Sequence, residues 1–202
     1  MWIIQGSSHC GNIKAPESFT VTDFSPSALS AFDKSVTRAL NNNQLVYPID
    51  IDSYGGNIDT LIGFISVIEA AKSRGLKFAT VVKSKAMSAG AILWTFGDAN
   101  GDSILRFIGD HASLMFHSAC VVIGGKVPET KENLIQNHNK QIALFEKASK
   151  NLKKSKNWLT SNLNKRKDYD WELSADDVEK EHIGLKYIPS FVFSVEEFFK
   201  IV

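Results

Sequence analysis

One pattern constrains this chain more than any other. Short apolar runs of strand length repeatedly give way, through turns of small residues, to segments with helical spacing. Val46 to Ile51 reads as a strand with Ile49 and Ile51 on one face, and it runs straight into Ser53-Tyr54-Gly55-Gly56. A helix is expected from about Asn57 or Asp59, with Leu61, Ile62, Ile65, Ile68 and Ala71 as its buried stripe and Gly75 just past its end. The strand Phe78–Val82 follows, then a turn of small residues, Ala86 to Ala91, and a short apolar segment, Ile92–Phe96. Upstream, Ser25-Pro26 reads as the cap and first residue of a helix carrying Leu29, Phe32, Val36 and Leu40 at spacings of three and four. Strands alternating with helices predict an α/β domain with a mainly parallel sheet.

Further strands are expected around Arg106–Ile108, Leu114–Phe116 and Cys120–Ile123. Pro128 then opens a long helical region, from about Glu129 to Leu163, with Leu134, Ile142, Phe145 and Leu152 as a broken apolar stripe. A short helix at Ala175–Glu181, a strand near Phe191–Phe193 and a terminal helical turn complete the reading. There is no linker-like stretch and no internal repeat, so residues 1–202 are expected to form one domain. Its parts are an N-terminal segment 1–18, a helical arm within 126–165 and a C-terminal segment 188–202.

Composition excludes several function classes. Lys and Arg number 23 against 22 Asp and Glu, a net charge of +1, so a global basic field for nucleic acid is not expected. No apolar run approaches the ~18–20 residues that span a bilayer. Met1–Lys14 lacks the basic start and long apolar stretch of a signal peptide. Cys10 and Cys120 form no CxxC pair, which fits a reducing cytoplasm. Locally the charge is uneven: the segment from Lys147 to Lys167 is basic, and the stretch from Asp168 onward is acidic. A polyanion-binding patch and a solvated helix face balanced by the acidic segment both fit, and the second is the expectation.

Three features share a chemical logic. Gly55-Gly56 after a buried strand can aim backbone N–H groups into a cleft, although a plain turn would have the same sequence. Ser88, between small residues at a strand-to-helix junction, is placed as a nucleophile or as a helix cap; Ala86 stands where the usual nucleophile elbow has Gly. His117 ends an apolar strand, and histidine is the usual base for a serine near neutral pH. His111 competes for that role, whereas His9, His138 and His182 lie in less suitable segments.

In order, Ser53-x-Gly55-Gly56, Met87-Ser88-Ala89-Gly90-Ala91, Phe116-His117 and Asp170-Trp171-Glu172-Leu173-Ser174-Ala175 resemble the motifs of the proteolytic subunit of the Clp protease. The resemblance covers about residues 19 to 187 and suggests a divergent, specialised or phage-borne member. It implies a spiral of ββα units with a protruding handle helix, shared with crotonase-like enzymes. It also implies a catalytic triad of Ser88, His117 and Asp170, with the N–H groups of Gly56 and Ala89 as oxyanion hole. Gly55 and the stretch Val122, Ile123, Gly124 and Gly125 would bind an extended peptide, the latter as an edge strand.

The family assembles two stacked heptameric rings, interlocked through the handle and fed unfolded polypeptide by an AAA+ ATPase. This chain has no phosphate-binding GxxxxGK[ST] loop, so no cofactor is expected in it and ATP would be used by the partner. It departs from the family at Tyr54 (usually Pro), Ala89 (usually Met) and Ser118-Ala119 (usually Gln-Pro), and Asp168 and Glu172 flank Asp170. Two other readings stand beside the triad. One is a Ser–Lys dyad of the signal-peptide-peptidase or prohead type, using Lys83 or Lys85. The other is a non-catalytic ring subunit. A fold-related acyl-CoA enzyme fits the motif order less well.

Overall fold

The computed structural model describes residues 16–100, 103–118, 131–166 and 170–187. In chain order the elements are β1 (Phe19–Val21), α1 (Pro26–Asn41), β2 (Val46–Ser53), α2 (Ile58–Lys72), β3 (Lys77–Met87) and α3 (Ala89–Trp94). A small hairpin, β4 (Ala99–Asn100) and β5 (Ser103–Ile104), precedes β6 (Arg106–Gly109) and β7 (Ser113–His117). Then come α4 (Lys131–Asn151), α5 (Trp158–Asn164), β8 (Asp170–Ser174), α6 (Ala175–Lys180) and β9 (Leu185–Tyr187). The fold is mixed α/β with a mostly parallel sheet, as the alternation of strands and helices predicts.

The first two helices begin where their capping residues place them. The Ser25 side chain accepts the Ala28 N–H at 3.1 Å, and the Asn57 side chain accepts from Asp59 and Thr60. Each satisfies donors that the first helical turn leaves open. Phe32 and Val36 of α1, and Leu61, Ile65, Ile68 and Ala71 of α2, are buried. Leu29, Leu40 and Ile62 pack against that core from its edge.

β3 is the hub of the sheet. Along one edge it pairs in parallel with β2, which pairs in turn with β1. Its other edge is shared: Thr80–Val82 pair with β6, and Lys85–Met87 pair with β7. β6 carries β9 in parallel, and β7 carries β8 antiparallel. Pro48, which has no N–H to give, sits in β2 before the stretch that β1 covers. On one face, Tyr47, Ile49, Ile51, Phe78 and Val82 meet the helices in the main core, with Phe32, Phe64 and Trp94. Val46 and Ala79 join a smaller cluster with Leu105.

The helix expected after the strand-to-helix junction at Ser88 is α3, in which Ala89 to Trp94 are all buried and helical hydrogen bonding satisfies their backbone. Two expectations are corrected. The strand expected at Phe78–Val82 continues to Met87, so Ala86 and Met87 are strand rather than turn, and the turn narrows to Ser88. The single helix expected from Glu129 to Leu163 is two: α4 ends at Asn151, Lys153 turns left-handed (φ 57°), and α5 begins at Trp158. The strands expected at Cys120–Ile123 and Phe191–Phe193, the start of the arm at Pro128, and the terminal helical turn lie outside the described residues.

Among the described residues no helix is long and apolar enough to cross a membrane. Basic residues of the arm are paired: Lys147 with Glu69, Lys154 with Glu181 and Lys156 with Glu146.

Candidate active site

The parallel strands β2 and β3 end side by side, the position where α/β sheets generally bind ligands. From β2 the chain enters the Gly55-Gly56 turn; from β3 it enters Ser88 and then α3. Ser88 has φ 54° and ψ −118°, a conformation rarely taken by a residue with a side chain. Its N–H donates to the Met115 carbonyl on β7 at 2.8 Å, and its side chain makes no capping bond to α3. The hydroxyl is therefore not spent on the helix. The N–H of Ala89, at the first position of α3, has no partner within the helix.

Gly55 lies against this turn. It has φ +99°, and a Cβ there would stand 2.6 Å from the Ser88 Cβ and 2.9 Å from the Met87 carbonyl. Gly56, next along, is bridged to Phe24. Tyr54 is exposed, with Lys85 Nζ 4.5 Å from its ring centroid.

A cleft of about 50 Å³ opens beside Ser88. Its walls include Gly56, Ala89 and His117, together with Ile58 and Leu61 of α2, Ile92 of α3, and Gln141 and Leu144 of α4. His117 ends β7, and its cross-strand partner on β8 is Asp170. The His117 Nδ1 lies 3.9 Å from Asp170 Oδ1, beyond hydrogen-bond distance; the two side chains are 25% and 57% exposed. Catalytic hydrogen bonds are commonly long before substrate binds. Glu172 is two residues along β8 and opposes Met115 instead, so it is Asp170 that the strand register sets beside His117. Asp168 lies outside the described residues.

The structure thus gathers Ser88, His117, Gly56 and Ala89 around one cleft, with Gly55 behind Ser88 and Asp170 behind His117. Val122, Ile123, Gly124 and Gly125 lie outside the described residues. His111, on the turn before β7, and His138 and His182 are exposed and line no part of the cleft.

Neither lysine near Ser88 is placed as a base. Lys83 Nζ is 2.6 Å from Asp50, and Lys85 Nζ is 3.0 Å from Asp52. The hydrogen bond to Asp52 raises the Lys85 pKa above its ordinary value, the opposite of what a lysine base near neutrality requires.

Gln141 and Leu144 were not singled out from the sequence. The available signal was a lone polar residue in register with the buried stripe Leu144, Ala148 and Leu152.

No protein-family model matches this sequence, and no curated protein matches it.

Proposed function

We propose that this chain is the proteolytic protomer of a Clp-type, self-compartmentalising serine peptidase. One observation carries the reading. Ser88, held at positive φ before α3, shares a cleft with His117, whose cross-strand partner is Asp170. A strained turn that presents a hydroxyl beside an imidazole, with a carboxylate behind that imidazole, is the arrangement of acyl-transfer chemistry on several unrelated folds.

His117 takes the Ser88 proton as Oγ attacks a peptide carbonyl. The N–H groups of Gly56 and Ala89 receive the oxyanion, where preorganised donors are worth most. His117 then delivers its proton to the leaving amine, and Asp170 holds the ring in the required tautomer. Water hydrolyses the acyl-enzyme by the same route. An extended polypeptide pairs along Val122–Gly125, so affinity comes from main-chain hydrogen bonds. The parallel sheet and the strand-end site support a spiral of ββα units, with α4 as the handle. The protomer works in two stacked heptameric rings in the cytoplasm, fed by an AAA+ unfoldase that supplies the ATPase.

The test is fluorophosphonate labelling read by intact mass, alongside peptide hydrolysis. Adduct on Ser88, and a fall in kcat of ~10⁴-fold or more in Ser88→Ala, are expected. An unlabelled Ser88, or unchanged hydrolysis in Ser88→Ala, overturns the reading in favour of a non-catalytic ring subunit. Full activity in His117→Ala would instead revive a lysine base. Native mass measurement should find fourteen chains.

A further inference from the structure

β7 outruns the strand beside it. It pairs with β3 only as far as Met115, which lies opposite Met87. Beyond that point Phe116 and His117 have a strand on one side alone, where β8 pairs them with Trp171 and Asp170. Peptide groups two residues apart along a strand point to the same edge. The Met115 carbonyl points to the β3 edge, where it accepts the Ser88 N–H at 2.8 Å. The His117 carbonyl therefore faces that edge too, one step past the end of β3. A side chain from α4 meets it there: Gln141 Nε2 donates to the His117 carbonyl at 3.4 Å. Gln141 is 8% exposed and lines the cleft. Around it, α4 is braced against α2 by the ion pairs of Lys140 with Asp59 and Lys147 with Glu69. Leu144, Phe145 and Ala148 bury the same helix in the main core.

Resting on the serine-peptidase reading above, we infer that Gln141 is a positioning residue for His117. Two neighbouring bonds along one edge of β7 then set the nucleophile against its base: the Met115 carbonyl holds the Ser88 backbone, and Gln141 holds the His117 backbone. Asp170 acts on the imidazole from the β8 side, whereas Gln141 acts on the peptide group that carries the ring. Without the amide, a carbonyl in a nearly closed site loses its donor, which is costly. The end of β7 relieves that cost by turning toward another donor, and the imidazole moves with it. A displacement of about 1 Å between reacting groups costs on the order of 10²-fold in rate.

The experiment uses the full chain with Gln141→Met, which keeps the length of the side chain but has no N–H, and Gln141→Glu, which sets a carboxylate against the carbonyl. Labelling of Ser88 by diisopropyl fluorophosphate is followed by intact mass, with Ser88→Ala as control. Rates are read on the high-pH plateau, where histidine is neutral, so a change of protonation is not mistaken for a loss of position. Both variants should label about tenfold or more slowly. Peptide hydrolysis should lose kcat by a similar factor with KM nearly unchanged, the sign of an interaction that acts in the transition state. Thermal melts establish folding, and Gln141→Glu carries the test alone if Gln141→Met does not fold.

Labelling at the wild-type rate in a folded variant overturns the inference, and so does a defect confined to KM, which would make Gln141 a wall of the cleft and nothing more. In either case wild-type labelling of Ser88 leaves the peptidase reading intact. No adduct at Ser88 in the wild-type chain overturns both.

Discussion

Gly55 carries two constraints at once. Its φ of +99° disfavours any residue with a Cβ, and the space a Cβ would need is taken by the Ser88 Cβ and the Met87 carbonyl. Both obstacles are parts of the turn that presents the Ser88 hydroxyl, so the turn cannot yield without moving Ser88. Gly55→Ala should therefore cost about 1–3 kcal/mol in urea unfolding, the range for a strained backbone position. It should also slow fluorophosphonate labelling of Ser88 under conditions where the variant remains folded. Labelling at the wild-type rate would mean that Gly55 shapes a turn and nothing more. The residues of this site were legible to unequal degrees. Ser88 and His117 stand out as a serine among small residues and a histidine ending an apolar strand, and Asp170 joins them only through the motif order that the family resemblance supplies. Gln141 does not, because its part depends on how α4 lies against α2 and α3. Two ion pairs, Lys140 with Asp59 and Lys147 with Glu69, join α4 to α2, and charged residues at those positions look the same on any solvated helix.

Helix ends show why some element boundaries escape sequence reading. After α1, α2, α4 and α6 the chain makes the same paired closing bonds, and the residue at the turn is left-handed: Asn43, Gly75, Lys153 and His182. Gly75 announces its helix end. Lys153 does not, and so the arm reads as one helix where there are two. Its turn is enforced by bonds that sequence cannot display: the Lys154 N–H to the Ser149 carbonyl, and the Leu159 N–H to the Ser149 hydroxyl. His182 is exposed with φ 54°, so glycine there relieves strain without removing core packing. His182→Gly should raise stability by about 0.5–1 kcal/mol in urea unfolding. A loss would show that the imidazole makes a contribution larger than its backbone strain. At the other end of α6, Ser174 and Asp177 form a capping box. Hydrogen bonds from the Ser174 hydroxyl and N–H hold the Asp177 pKa below its ordinary 3.8. That stabilisation is present above the unfolded value and is lost as pH falls through the lower folded value. Asp177→Asn should be less stable than wild type at neutral pH by about 0.5–1 kcal/mol, with the gap closing below about pH 4.

Across the whole molecule, one side chain joins parts that are distant in sequence. Arg106 is 1% exposed, at the start of β6. Its Nε donates to the Ile183 carbonyl at 2.7 Å and its guanidinium to the Gly97 carbonyl at 2.8 Å. The first bond anchors the chain between α6 and β9; the second anchors the turn after α3, whose other end holds Ser88. The sequence gives no hint of this, since an arginine at the start of an apolar run resembles a charge at a strand edge. Arg106→Met leaves both carbonyls without that donor inside the core and should cost about 3–5 kcal/mol. Arg106→Lys should recover little of it, because a single ammonium cannot reproduce a fork directed at two carbonyls. The pH dependence separates this role from that of Asp177. Burial pulls the Arg106 pKa down from its ordinary 12.5 to about 10, with Asp98 opposing. Folded and unfolded chains therefore both carry the proton until pH nears 10, and only above that does the unfolded state bind more. The gap between wild type and Arg106→Met should accordingly stay flat from about pH 5 to about pH 9 in urea unfolding. Native-state hydrogen exchange at Leu185–Tyr187 should quicken in the same variant, as β9 loses its anchor to the sheet. A gap that varies steeply across that range would assign the effect to a titrating partner rather than to the two carbonyls.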